Sequence, residues 1–145
     1  QKRGLSEVIL DMDKVVSGEH SALSESIRHC LKASEGGKFI LSPQLSPGKG
    51  GEKVSDLILA SIAECAEKIC ASIDFDRIVV IGGETSYAIL HGLKITKLYL
   101  TEKPETGIGT GTIGDGPYTG KSFSIKGGSI GSEAALCRML GMEEE

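Results

Sequence analysis

Apolar positions repeat most regularly at Val54, Leu57, Ile58, Ile62, Cys65 and Ile69, a helical spacing sustained over about four turns. Leu23, Ile27, Cys30 and Leu31 mark a second helical face, which ends near Gly36-Gly37. Between and after these faces the pattern changes to short continuous runs. Val8-Ile9-Leu10, Phe39-Ile40-Leu41 and Ile78-Val79-Val80-Ile81 predict strands, as do the segments 97–100 and 123–126. A helix is expected from about Thr85 to His91 and another from about Ile130 to Leu140, closed by Gly141. Ser42-Pro43 to Gly51 and Gly107 to Gly120 read as turn-rich loops.

Strands that are apolar throughout, without in/out alternation, are buried on both faces, and strands alternating with helices pair mainly in parallel. The expected architecture is therefore α/β: three layers, a mostly parallel sheet with helices on both faces, in a single domain spanning 1–145. Ligands of such sheets bind beyond the carboxyl ends of the strands.

Composition narrows the function. The 145 residues are 39% hydrophobic and 25% charged, the balance of an ordinary globular chain. Trp is absent, only 4% of residues are aromatic, and the net charge is −4, so neither base stacking along a strand of nucleic acid nor a broad phosphate-backbone footprint is expected. Cys30, Cys65, Cys70 and Cys137 fall in helical segments with no C-x-x-C pair and read as buried, reduced thiols, which points to the cytoplasm. No apolar run approaches the ~18 residues of a membrane span. His20, His29 and His91 are scattered, so no metal site built by the protein is expected. The chain begins Gln1-Lys2-Arg3-Gly4, without Met, and reads as a piece of a longer protein.

Two glycine turns carry the candidate chemistry. Strand 78–81 runs into Gly82-Gly83-Glu84-Thr85-Ser86, and strand 123–126 runs into Lys126-Gly127-Gly128-Ser129-Ile130-Gly131. Each is a strand, a glycine turn and then a helix, a form in which backbone N–H groups and the positive helix end face an anion. Both turns follow the carboxyl end of a strand, so folding can bring them to one rim. Two letter matches nearby carry less. Gly109-Thr110-Gly111-Thr112-Ile113-Gly114 fits G-x-G-x-x-G but lacks a strand before it and a helix after it. Gly120-Lys121-Ser122 resembles the end of a P-loop but enters a strand, with Asp115 where the first glycine belongs.

The order of these motifs resembles the carboxyl-terminal nucleotide-binding domain of the four-carbon acid sugar kinase family. The likeness rests on Gly82-Gly83-Glu84-Thr85-Ser86, then Gly92-Leu93-Lys94-Ile95, then Thr106-Gly107-Ile108-Gly109, and finally Lys126-Gly127-Gly128-Ser129-Ile130-Gly131. Ile130 stands where the family usually has Phe, and Gly109 where it usually has Pro. The resemblance implies the ATP-binding half of a kinase that transfers the γ-phosphoryl group to a hydroxyl of erythronate, threonate or 3-oxo-tetronate. The sugar-acid-binding domain of that family precedes the region matched here, so this chain alone is expected to phosphorylate nothing.

On that resemblance the cofactors are ATP and Mg²⁺. Gly82 and Gly83 let the main chain approach the nucleotide, Thr85 and Ser86 offer hydroxyls, Lys126 meets a phosphate, and Gly127, Gly128 and Gly131 form a second wall with Ser129 as a helix cap. Glu84 reads either as a contact to magnesium-bound water or as an acid favoured in a helix's first turn. Lys126 reads either as a phosphate ligand or as a solvated lysine at a strand end. Loop 42–51, with Lys49, is placed to lid the nucleotide. No catalytic base is nameable, and the partners expected are ATP or ADP, a sugar acid held by another domain, and a second copy of the chain. A freestanding nucleotide-sensing module and a structural domain whose glycines only make turns are the competing functions.

Overall fold

A computed structural model of the chain describes residues 5–102 and 107–127. It falls into two compact units, 1–74 and 75–145. The first contains β1 (Ser6–Asp11), α1 (Met12–Val16), α2 (Ser21–Ser34), β2 (Phe39–Gln44) and α3 (Glu52–Ser72). β1 and β2 pair in parallel, Ser6 opposite Phe39 and Asp11 opposite Gln44. A parallel return needs a crossover, which α2 supplies while packing on β1 and α3. Leu10, Met12, Cys30 and Cys65 are wholly buried in this unit.

Two details of this unit depart from the sequence pattern. Ser42-Pro43 continues β2 instead of opening a loop; a strand with one described neighbour uses only alternate N–H groups, so proline's missing donor is tolerated. α1, too short to show a period, starts where the Asp11 carboxylate accepts the Lys14 N–H at 3.2 Å, a side-chain cap. Asp13 then ties down the loop after β2. It accepts the Ser46 N–H at 3.3 Å, bonds the Ser46 hydroxyl, and pairs with Lys49 Nζ at 3.5 Å. The Ser46 hydroxyl holds the Asp13 carboxyl below its ordinary range. Ser46 and Lys49 of the expected lid are thus fastened within their own unit.

The second unit contains β3 (Arg77–Ile81), α4 (Gly83–Gly92), β4 (Leu98–Glu102), β5 (Ile108–Ile113) and β6 (Ser122–Lys126), with strand order β3-β6-β5-β4. β3 and β6 are parallel, while β6–β5 and β5–β4 are antiparallel. The α/β class stands, with the parallel pairs at β1–β2 and β3–β6 and a β5–β4 ribbon added along β6.

β5 lies inside the stretch 107–120 that the sequence marks as loop. Its glycines hide it, because glycine is depleted in strands and gives no hydrophobic signal. Gly111 has a packing reason: a Cβ there would stand 2.8 Å from the Tyr99 carbonyl oxygen of β4. The G-x-G-x-x-G letters therefore form an antiparallel strand and the residue after it, not a phosphate turn. Ile108 and Phe123 are almost wholly buried, and Val79 packs on Ile108. Thr110 and Ser124, opposite each other, share a buried hydroxyl–hydroxyl bond of 3.0 Å.

The described cysteines fit the thiol expectation. Burial pushes Cys30 up to about 12 and Cys65 and Cys70 to about 11, so all three stay protonated at neutral pH. Cys137 lies outside the described residues, as does the expected helix at 130–140.

Asp115 fixes the entry to β4. Its carboxylate bonds the Thr96 hydroxyl and accepts the N–H groups of Thr96 at 2.8 Å and Lys97 at 3.1 Å.

Gly111→Ala should destabilise the chain by ~1–3 kcal/mol, read as a lower urea midpoint, because the sheet must part to admit the methyl group. Gly50→Ala, where a Cβ meets nothing within 4 Å, should leave the midpoint unchanged. A pH prediction follows from Asp115, whose carboxyl is held below its ordinary 3.8, first by the Thr96 hydroxyl and then by the Thr96 N–H. A carboxyl depressed in the folded state adds stability above its unfolded pKa and loses it as pH falls through the folded one. Thermal melts should therefore show wild type losing more stability than Asp115→Asn between neutral pH and the acid side of the carboxylate range.

Candidate functional site

The carboxyl ends of β3 and β6 lie side by side because the two strands are parallel and in register, with Ile81 opposite Lys126. One further bond closes the pair: the Gly82 N–H donates to the Lys126 carbonyl at 2.8 Å. Gly82 then turns the chain with φ of 102° and ψ of 136°, a conformation closed to ordinary side chains, and α4 begins at Gly83. On the other side of β6, the Gly127 N–H donates to the Gly107 carbonyl at 3.0 Å. Gly82, Lys126, Gly127 and Gly107 thus share one rim.

The two glycines after β3 have different tasks. Gly82 makes the turn, and its own N–H is used by the sheet. Gly83 sits in the first turn of α4, where an added Cβ would meet nothing within 4 Å. The helical ladder starts with the Ser86 N–H bonding the Gly82 carbonyl at 3.0 Å, so the N–H groups of Gly83, Glu84 and Thr85 precede it. These three donors, at the positive end of a ten-residue helix and beside an uncovered glycine, suit an anion.

Two side chains around the turn have settings that the sequence left open. Ser86 is buried, and its hydroxyl donates to the Gly82 carbonyl at 2.7 Å, so it braces the turn. Lys126 is not a solvated lysine at a strand end: it is 9% exposed. Thr85 leans over the turn, its Oγ1 being 3.6 Å from where a Gly82 Cβ would stand. Glu84 is exposed in the first turn of α4.

The structure therefore brings Gly82, Gly83, Glu84, Thr85 and Ser86 together with Lys126 and Gly127. Gly128, Ser129 and Gly131 lie outside the described residues. Gly107 was missed as a site neighbour. Its signal was the Thr106-Gly107-Ile108-Gly109 match, which placed it in a loop; only the pairing of β5 with β6 puts it next to Gly127.

No helix among the described residues is long and apolar enough to cross a membrane. No curated protein matches the sequence. Solved structures share the fold. A Haemophilus influenzae protein of the DUF1537 family superposes over 94% of this chain and 34% of its own, with a TM-score of 0.79 at 16% identity. A Bordetella bronchiseptica protein carrying a domain of unknown function of the same designation, crystallised with bound citrate as a domain-swapped dimer, gives 93%, 34%, 0.76 and 18%. A Salmonella typhimurium protein described as a putative tRNA synthase gives 92%, 34%, 0.67 and 19%. The chain spans about a third of the length of these proteins. The model of one family, described as the nucleotide-binding C-terminal domain, matches residues 2–136, and the chain belongs to that family.

Proposed function

We propose that this chain is the ATP-binding domain of a cytoplasmic kinase that moves the γ-phosphoryl group of ATP to a hydroxyl of a small four-carbon sugar acid such as erythronate, threonate or 3-oxo-tetronate. The observation that carries the reading is the meeting of the Gly82 turn, the start of α4 and Lys126-Gly127 at one strand end of a nucleotide-binding family member. Phosphoryl transfer asks for positioning and for neutralisation of spread negative charge more than for covalent help. Backbone donors of Gly83, Glu84 and Thr85 would hold phosphate oxygens, and Lys126 would supply positive charge. Gly127, Gly128, Ser129 and Gly131 would complete the opposite wall.

Mg²⁺ fits this site as a companion of the nucleotide. Among the described residues no three His, Cys, Asp or Glu side chains gather to hold a metal ion. Magnesium is commonly held by one or two carboxylates together with substrate phosphates and waters, and Glu84 offers one such carboxylate. The ion would offset phosphate charge that Glu84 otherwise repels.

The acceptor acid would be held by a further domain, consistent with the chain spanning about a third of its structural relatives. The citrate of the Bordetella protein is likewise a small hydroxylated carboxylate, and that protein's swapped dimer supports a second copy of this chain as a partner.

Titration calorimetry with ATP and Mg²⁺ tests the site. The chain should bind, while Gly83→Val and Lys126→Met should each weaken binding about 10- to 100-fold, the loss expected for one charge-assisted contact. Gly83→Val should melt near wild type, since its side chain enters open space. Equal affinity in all three proteins would remove these residues from the site.

A further inference from the structure

We propose that Tyr87 is the platform on which the nucleobase stacks, an assignment that rests on the phosphate site at the start of α4. Tyr87 is 73% exposed and Tyr99 60%, so its place on α4, not exposure alone, singles Tyr87 out. The other described aromatic rings have different settings. Phe123 is core, Phe75 packs on Tyr118 with ring centroids 5.3 Å apart, Phe39 lies in β2, and Tyr99 lies on β4 at the far edge of the sheet. Tyr87 alone among them shares an element with the anion-suited turn.

Helical spacing gives the geometry. Gly83, Tyr87 and His91 follow at i, i+4 and i+8, so they share one face of α4. Helical side chains lean toward the amino end, over the preceding turn. His91 accordingly leans back on Tyr87, their rings 6.3 Å apart and inclined by only 23°. One turn nearer the amino end on the same face, Gly83 has no side chain, and a Cβ added there meets nothing within 4 Å, the Tyr87 ring included. The imidazole of His91 stacks on the ring, and the uncovered Gly83 position lies one helical turn nearer the amino end, beside the three N–H donors. Gly83 and Tyr87 are about 6 Å apart along the axis, the span of a ribose. Phosphates at Gly83, Glu84 and Thr85 thus leave the sugar over the bare first turn and the base against the tyrosine. Stacking uses the π-face that every base has, so Tyr87 contributes affinity without selecting adenine.

Calorimetry on the 145-residue chain with two probes, ADP and inorganic tripolyphosphate, separates this assignment from the one it rests on. Tyr87→Ala should weaken ADP about 5- to 100-fold, leave tripolyphosphate unchanged, and Tyr87→Phe should restore ADP binding. Because the chain has no Trp, Tyr87→Trp also installs a single reporter whose emission ADP should quench and tripolyphosphate should not. ADP affinity that survives Tyr87→Ala, with tripolyphosphate still bound, overturns the platform and keeps the phosphate site. Wild type that binds neither probe overturns both.

Discussion

The parallel register of β3 and β6 is the constraint on which the rest of the candidate site depends. Two parallel strands release their chains at the same edge of a sheet, so turns separated by some forty residues of sequence become neighbours. The Gly82 N–H to Lys126 carbonyl bond is the last rung of that ladder, and it fixes where the main chain must turn. β5 runs the opposite way, so its beginning, not its end, reaches the same rim, and Gly107 arrives there beside Gly127. A one-residue slip of β6 would move Lys126 to the other face of the sheet. Pairing of Phe123 with Ile78 on one side and Gly111 on the other, with Phe123 almost fully buried, makes such a slip expensive.

Glycine performs three separate tasks in the second unit, and each uses a different property. Gly82 supplies a backbone conformation, Gly111 supplies room for a neighbouring strand, and Gly83 supplies nothing but an uncovered backbone. Substitution at the first two is a matter of folding. Substitution at the third leaves the fold intact and alters only what can approach the helix start, which is why the two halves of one Gly-Gly pair are expected to respond differently.

That distinction explains what the sequence shows and what it conceals. β1, β2, β3, β6, α2 and α3 were legible because long apolar periods and β-branched runs report burial directly. The turn at 82–86 was legible because paired glycines between a strand and a helix have few other uses. β5 was concealed because its glycines exist for the sake of Tyr99 on β4, a partner that no local window contains. α1 was concealed because its start depends on one carboxylate, Asp11, and its five residues show no period. The bracing bond of Ser86 was not legible for a related reason. A hydroxyl after a glycine turn is equally able to face a ligand or to bond back to the carbonyl four residues earlier, and only the turn's geometry decides between them.

The relatives share 16 to 19% of residues with this chain yet keep TM-scores between 0.67 and 0.79. What persists at that distance is the backbone path, and the candidate site is made largely of backbone: three N–H groups ahead of the α4 ladder, one glycine turn, and two rungs that close the rim. An N–H group is the same donor whichever residue carries it, so a phosphate cradle built of such donors would survive drift that erases a side-chain pocket. Recognition of a sugar acid is different in kind, since it needs particular side chains set against particular hydroxyls. The nucleotide half of the proposal accordingly draws on the family this chain belongs to and on backbone present in it, whereas the choice of acid would depend on chemistry that other parts of the proposed kinase contribute.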